Sequence, residues 1–305
     1  MDIIVFFSYS HIKADMQIII NIIITFTFYL LIGYSFWLIY SVVKFFNLTH
    51  AAYITISAYL TYSLVNQTRL HILMAMLLAI GITIGIGILL EQYLFGPIKR
   101  KNAAPMSLMI ISLGTYIALQ NCISLIWGDL SLSIRFSSIQ AGYNIFGGHI
   151  TLIQIISISI LLGMFLVTNV IIYHCKTGRN IRAVSDNPEL SNIIGINSEK
   201  TTLWVCGISS FLAAIVGILY ALDTDMAPVM GFNLLLYGVV AMIIGGTGNS
   251  RGLVGGSLLL SSAQHLAAYF IGSEWINAIA YIFLILFLLY RPLGFSGIRQ
   301  KKTEL

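Results

Sequence analysis

The sequence predicts an all-α, polytopic membrane protein with about eight to nine transmembrane helices. First, 58% of its 305 residues are hydrophobic and only 9% are charged, with a mean hydropathy of +0.91, whereas a soluble domain carries about 25% charged residues. Second, apolar runs of about 20 residues, the length that spans a bilayer, recur along the whole chain. Third, most basic residues lie in alternate loops between these runs. We therefore expect residues 1–305 to form a single transmembrane domain.

The apolar runs are continuous and lack the in–out alternation of barrel strands, so we expect each of them to form a helix. In chain order they cover residues 16–43, 48–65, 72–95, 106–127, 150–173, 201–222, 234–248, 252–271 and 275–290. The shortest run, 234–248, ends in Gly245-Gly246-Thr247-Gly248, which indicates a helix that stops early or breaks where protein surrounds it. Four runs on either side of 150–173 allow an inverted repeat, as in many transporters.

The distribution of cations between the loops predicts the orientation of the chain. One set of loops holds thirteen of them: Lys44, Lys99, Arg100, Lys101, Lys176, Arg179, Arg182, Lys200, Arg251, Arg291, Arg299, Lys301 and Lys302. The other set holds only Lys13, Arg69 and Arg135. Because basic loops stay in the cytoplasm, the N-terminus is predicted to lie outside and the C-terminus in the cytoplasm. The net charge of +5 is thus topological and does not indicate nucleic-acid binding.

No pattern of an enzyme or of a cofactor site stands out in the sequence. The glycine cluster at 245–252 lacks the Gly-Lys-Ser/Thr that cradles a nucleotide phosphate. The histidines lack metal-ligand spacing, and Cys122, Cys175 and Cys206 are too scattered for a metal cluster or a disulfide framework. We expect no catalytic residues, no metal and no cofactor. A charge-poor helical bundle with glycine-rich breaks is more typical of a translocation path that an external component drives.

The longest basic loop, 174–200, contains signals for a short helix. Asn187 is a good cap residue, Pro188 suits the first helical position, and Glu189 lies where the helix dipole favours an anion. Gly195 ends the helix after about two turns, with Leu190, Ile193 and Ile194 on one side. Such a helix is marginal alone in water. Two interpretations are open: it docks on a cytoplasmic partner, or it rests on lipid headgroups with help from Arg179 and Arg182.

Several polar or small residues at membrane depth are candidates for a translocation path, each with a structural alternative. Asn47 and His50 begin the second run, and they either line a path or cap that helix. Tyr59 is a candidate for a polar cavity, although the sequence does not fix its helix face. The cluster Gly245, Gly246 and Thr247 is either a break in the path or a site of close helix packing with Gly256. Glu91 is expected to extend towards the basic loop at 99–101.

The loop motif carries a resemblance to a known family. The stretch Thr177-Gly-Arg-Asn-Ile-Arg-Ala-Val-Ser-Asp-Asn-Pro-Glu-Leu190, followed by Gly195-Ile-Asn, is similar to the cytoplasmic loop of bacterial branched-chain amino-acid permeases. These proteins are membrane subunits of ATP-binding-cassette (ABC) importers. Further matches, in the family's order, are Asn47-Leu-Thr-His50 ahead of Tyr59, Leu113-Gly-Thr-Tyr-Ile-Ala-Leu-Gln-Asn121, Gly245–Gly252 with Gly255-Gly256, and Arg291-Pro-Leu-Gly294. The resemblance covers about 30–297, and urea-type permeases are similar at the same places.

The resemblance implies a type II importer-like permease of the bacterial inner membrane, without an ATPase site of its own, and the outer N-terminus would then be periplasmic. Its implied partners are a homologous second permease, two cytoplasmic ABC ATPase subunits and a periplasmic solute-binding protein, besides the lipid bilayer. The implied solute is a branched-chain amino acid or a related small polar solute; the alternatives are a urea or amide permease and a stand-alone secondary transporter. The loop 174–200 would couple to the ATPase through Gly178, Arg179, Arg182, Asn187, Pro188, Glu189 and Gly195. The translocation path would include Asn47, His50, Tyr59, Gly245, Gly246 and Thr247.

The chain also departs from the family pattern near the second run. The family usually has glycine and then glutamate after the histidine of Asn-x-x-His, where this chain has Ala51 and Ala52. Ser35, Ser41 and Lys44 stand where members commonly have glycine. These changes reduce close helix approach, and the loss of a carboxylate at membrane depth alters the polarity of a possible pathway.

Overall fold

The computed structural model describes residues 2–134, 142–145, 147–246, 250–291 and 294–295. Its helices are α1 Asp2–Val43, α2 His50–Asn66, α3 Ile72–Leu90, α4 Gly96–Arg100, α5 Pro105–Trp127, α6 Leu152–His174, α7 Lys176–Asp186, α8 Pro188–Ile193, α9 Ser198–Asp223, α10 Met230–Gly245, α11 Ser250–Phe270 and α12 Ile276–Tyr290. A π-helical turn, Glu91–Phe95, joins α3 to α4, and a 3-10 turn, Ser273–Trp275, precedes α12. Strands β1 Gly142–Ile145 and β2 Gly148–Thr151 form an antiparallel hairpin.

Each of the nine predicted runs coincides with a helix, and the all-α membrane fold is confirmed. Within the described residues, six helical segments are long and apolar enough to cross a membrane, or up to seven if α10 and α11 form one bent span. The helix α2 is left out of this count because its 17 residues extend only about 26 Å, short of a hydrocarbon core about 30 Å thick. The count is broadly compatible with the eight to nine predicted helices.

The chain divides into two compact units. The first comprises residues 1–30, 135–162 and 240–305, and the second comprises 31–134 and 163–239. The sequence-based assignment of one domain over 1–305 stays a prediction.

In the second unit, α2 is the central helix, and it packs against α9, α3 and α5. Its residues from His50 to Tyr59 are buried, including the polar side chains of Thr55 and Ser57. These hydroxyls donate to carbonyls of their own helix: Thr55 to Ala51 and Ser57 to Ile54. Such bonds satisfy polar groups where no water is available, so α2 can be polar and still lie in the core.

Two glycines allow neighbouring helices to approach the backbone of α2. A Cβ atom on Gly217 of α9 would collide with the carbonyl oxygen of Ile54, and one on Gly231 of α10 would collide with that of Ala51. Small residues at such crossings are typical of membrane helices, where close packing stabilises association. The position of α2 therefore depends on glycine in both of its neighbours.

The second unit has two distinct ends. At one end, which we call the basic end, Ser185 donates to the carbonyl of Ser41, and Arg100 of α4 pairs with Glu199 of α9. At the opposite end, Trp127 donates to Ser63, and the backbones of Leu132 and Met226 bond to each other. Within residues 31–134 and 163–239, successive loops therefore lie at alternate ends of the unit, as the distribution of basic residues predicts.

The first unit holds the hairpin and the packed ends of α10 and α11. The N–H of His149 donates to Gln17 of α1, and Thr25 bonds to His265 of α11 at 2.8 Å. A Cβ atom on Gly256 would collide with the carbonyl oxygen of Ala241, so α11 packs on the last turns of α10. The hairpin was not predicted, because residues 128–149 lie between the apolar runs 106–127 and 150–173.

Lys44, which directly follows α1, has φ of +59°, a conformation that strains residues other than glycine. We expect Lys44→Gly to raise the thermal unfolding midpoint by about 1–3 °C, because the relieved strain exceeds the entropic cost of the glycine. The midpoint is measured by intrinsic fluorescence while the protein is heated in detergent. The control is Ser41→Gly in the last turn of α1, which should lower the midpoint, since glycine destabilises a helix interior. A lower midpoint for Lys44→Gly would contradict the strain at this position.

Candidate functional site

The predicted coupling loop, 174–200, consists of two helices rather than one. The expected short helix is present as α8, but α7, Lys176–Asp186, precedes it directly and was missed. The signal for α7 was the spacing of Gly178, Ile181 and Val184, which are its buried residues and recur at every third position. The first helix of this pair anchors the loop on the unit, and α8 projects beyond it.

Gly178 and Arg182 attach α7 to the end of α6. A Cβ atom on Gly178 would collide with the carbonyl oxygens of Ile171 and Ile172, so only glycine permits this sharp corner. The guanidinium of Arg182 lies over the Tyr173 ring, 5.3 Å from its centroid, and donates to the Tyr173 carbonyl. Both residues therefore hold the loop in place.

The cap of α8 has the predicted form. The side chain of Asn187 accepts hydrogen bonds from the backbone N–H groups of Glu189 and Leu190, each at 3.0 Å. Pro188 is the first helical residue, and Gly195 follows the helix with φ of +89°. The cap and the glycine thus fix where α8 begins and ends, while Glu189 is exposed in its first turn.

Two apolar side chains of α8, and the apolar side chain of the residue directly after it, are exposed. Leu190, Ile193 and Ile194 are 57%, 80% and 68% exposed, respectively, and we call them the docking face. Arg179 of α7 is also exposed. A contiguous apolar surface on a capped helix is typical of a site that another surface covers.

A polar cavity of about 450 Å³ lies at the basic end, between α8 and the membrane helices. Its lining includes Val42 of α1, Glu91 of the π-helical turn, and Pro188 of α8, besides two ion pairs. Lys99 contacts the buried Glu91 at 2.5 Å, and Arg100 makes a two-pronged pair with the exposed Glu199. The expected contact of Glu91 with the basic loop 99–101 is confirmed.

Of the predicted path residues, Asn47 and His50 lie close together at the start of α2, and both are buried. The Asn47 side chain accepts from the N–H of Thr49, while the helix cap position is Thr49 and not Asn47. The His50 Nε2 lies 2.8 Å from the Ser35 hydroxyl, and its Nδ1 has no hydrogen-bond partner among the described residues. Ser35 thus gives α1 a polar contact with α2 at a position where the family commonly has glycine.

Tyr59 lies further along α2, fully buried beside Trp127, and its hydroxyl has no partner among the described residues. Ala51 and Ala52, which the resemblance places where the family usually has glycine and glutamate, are also buried. An unpaired hydroxyl and an unpaired imidazole nitrogen are costly in a dry interior. On α2, the Nδ1 of His50 and the Tyr59 hydroxyl are thus buried polar groups that can still form a hydrogen bond.

The glycines of the other candidate cluster belong to the first unit. A Cβ atom on Gly245 would collide with the backbone of Gly252, and Gly246 follows α10 with φ of +98°. Thr247 lies outside the described residues. Gly245 therefore packs α10 on α11, as the packing interpretation expects, and Gly246 terminates α10. A role in the path for Gly245, Gly246 or Thr247 stays a prediction.

Comparisons with known proteins agree with this architecture. The profile of the family described as branched-chain amino acid transport system / permease component matches residues 18–289. The high-affinity branched-chain amino acid transport system permease protein LivH of Salmonella typhimurium is 26% identical over 283 residues, covering 88% of this chain and 91% of the relative. The corresponding protein BraD of Pseudomonas aeruginosa is also 26% identical, with the same coverage. Among solved structures, PsaBC from Streptococcus pneumoniae, in complex with Fab, matches with a TM-score of 0.54 at 10% identity, over 93% of this chain and 96% of that chain.

Proposed function

Because this chain belongs to the family of permease components of branched-chain amino acid transport systems, and is thus a permease subunit of an ABC importer, we propose that its solutes are branched-chain amino acids. Relatives at about 26% identity over most of the chain are named for this activity. The buried polar groups of α2, with the Nδ1 of His50 and the Tyr59 hydroxyl unpaired within the described chain, support α2 as part of the path. Asn47, at the start of this helix, belongs to the same proposal.

The observation that carries the coupling role is the docking face of α8. We propose that a cytoplasmic ATPase subunit covers Leu190, Ile193 and Ile194, with Arg179 and Glu189 at the rim. The position of this helix would be set by five residues, as their contacts with α6 and α8 support. These residues are Gly178, Arg182, Asn187, Pro188 and Gly195. The helix α8 contacts α9, and the ion pairs in the polar cavity join α9 to α4 and α4 to the π-helical turn, so movement of α8 would be transmitted to the membrane helices.

We further propose that the working importer contains a homologous second permease, two ATPase subunits and a periplasmic solute-binding protein. The family supports this partner list. ATP hydrolysis would then take place on the ATPase subunits, and this chain would supply the path and the coupling helix.

The basic end of the second unit is proposed to face the cytoplasm, with the N-terminus periplasmic and the C-terminus cytoplasmic. The retention of basic loops inside supports this orientation. In a variant with Cys122, Cys175 and Cys206 replaced by serine, an impermeant maleimide added outside should label Leu130→Cys and spare Ile193→Cys. The labelled cells lack the ATPase subunits, and the two sites are then matched, because they are 81% and 80% exposed in the chain alone. Labelling of Ile193→Cys alone in intact cells would invert the orientation.

Uptake by reconstituted importer tests the proposed function. Proteoliposomes would hold this chain with the second permease, ATPases and binding protein from neighbouring genes. We expect ATP-dependent uptake of radiolabelled leucine, with urea remaining at background. Preference for urea would favour the urea-type alternative, whereas leucine uptake without the ATPase subunits would favour a stand-alone secondary transporter.

A further inference from the structure

An apolar groove of about 420 Å³ runs along α3 and α9. Its walls are Ile84, Ile88, Leu203, Gly207, Ile208 and Phe211, with Lys200 and Trp204 at the basic end of the unit. The surrounding surfaces of α3 and α9 carry exposed apolar side chains such as Leu89, as expected for helices in contact with lipid.

Within the described chain, the groove combines a cation that has no carboxylate partner with an exposed tryptophan. Lys200 is exposed, and no hydrogen bond or ion pair of its ammonium exists within the described chain, whereas the nearby Lys99 and Arg100 both have carboxylate partners. Trp204, one turn further along α9, is 65% exposed. Tryptophan and lysine are typical of the membrane–water interface. The groove therefore begins beside a positive charge at the interface and continues into the hydrocarbon.

The length and the lining of the groove indicate what it accommodates. From Lys200 to Phe211 the helix rises about 16 Å, and the groove-lining side chains between these two residues are apolar apart from the Trp204 ring nitrogen. A Cβ atom on Gly207 would lie 3.5 Å from Ile88 Cδ1, so the glycine keeps the floor of the groove low. The occupant that fits is a single, narrow apolar chain with a negative charge at its interfacial end.

We propose that this groove binds one acyl chain of an anionic phospholipid, with the lipid phosphate on Lys200. The proposal is independent of the transported solute, because it requires only that the chain lies in a bilayer. One lysine near an anionic headgroup gives about a fivefold preference over a zwitterionic lipid.

Quenching of Trp204 fluorescence by brominated lipids tests the proposal. The full chain is reconstituted in phosphatidylcholine vesicles that contain either brominated phosphatidylglycerol or brominated phosphatidylcholine. The Trp204 contribution is the difference between the wild-type chain and Trp204→Phe, because three other tryptophans are present. Brominated phosphatidylglycerol should give half-maximal quenching at about one fifth of the mole fraction that brominated phosphatidylcholine requires.

Two variants remove different parts of the proposed site. Lys200→Gln should bring the fivefold ratio to about one, and Gly207→Leu, which fills the groove and leaves the lysine in place, should do the same. Lys101→Gln is the matched control, because Lys101 is an exposed cation at the same end that does not line the groove; it should keep the fivefold ratio. Equal quenching by both lipids in the wild-type chain would overturn the proposal. So would an equal loss of preference in Lys101→Gln, or absence of quenching by either lipid, which would indicate that protein covers the groove.

Discussion

Replacing Gly217 with valine should destabilise the second unit by about 3 kcal/mol or more and lower the yield of folded protein. The glycine lies where α9 crosses α2, and any Cβ atom would collide with the backbone carbonyl of Ile54 and come within 2.5 Å of the Ser57 hydroxyl oxygen. Overpacking typically costs about 1–3 kcal/mol when side chains can move aside. Here a backbone carbonyl blocks the space, so the whole α2–α9 contact has to separate.

The matched control is Gly85→Val in α3, a glycine in another apolar helix with no atom within 4 Å of the position of a Cβ atom. The unfolding midpoint in sodium dodecyl sulphate titrations should fall sharply for Gly217→Val and stay close to wild type for Gly85→Val. Equal midpoints for the two variants would show that α2 and α9 do not depend on this close approach. Uptake cannot replace this measurement, because a misfolded permease and a blocked path both abolish transport.

Features set by neighbouring residues were predictable from the sequence. The start and end of α8 follow from Asn187, Pro188 and Gly195, because a cap bond, a fixed φ and a left-handed φ each act within one turn. The π-helical turn before α4 was not predicted, although Pro97 contributes to it. Proline has no N–H to donate, and the N–H of Gly96 bonds to the carbonyl of Glu91, five residues back.

Features that depend on distant residues were not predictable from one sequence. Nothing in the apolar run 201–222 indicates that Gly217 faces Ile54, since helix pairing is decided by the packed unit and not by local pattern. The same applies to the polar contact between Ser35 and His50, which joins α1 to α2. The packing role of Gly245 is likewise set by its contact with α11. No local pattern distinguishes this role from a role in the path.

The triple substitution of Leu190, Ile193 and Ile194 by serine should reduce ATP-dependent leucine uptake more than about tenfold and abolish copurification with the ATPase subunits. Burial of each such side chain contributes about 1.5–3 kcal/mol, and every 1.4 kcal/mol changes an affinity tenfold. Because these side chains are largely exposed in the chain alone, their removal leaves the fold and its unfolding midpoint unchanged. Copurification is measured on the detergent extract, and uptake is measured on vesicles reconstituted from the same extract.

Leu130→Ser is the control, an apolar residue at the opposite end of the unit that is as exposed as Ile193, the most exposed of the three, and it should leave uptake and copurification intact. The pair also separates the two interpretations of this helix that the sequence left open. If α8 rested on lipid headgroups, the triple variant would detach the loop from the membrane, increase its hydrogen exchange in empty vesicles and still copurify with the ATPase. If α8 docks on the ATPase, exchange in the isolated permease is unchanged and only the complex is lost. Retained copurification would therefore reject the coupling role while leaving the family membership and the fold untouched.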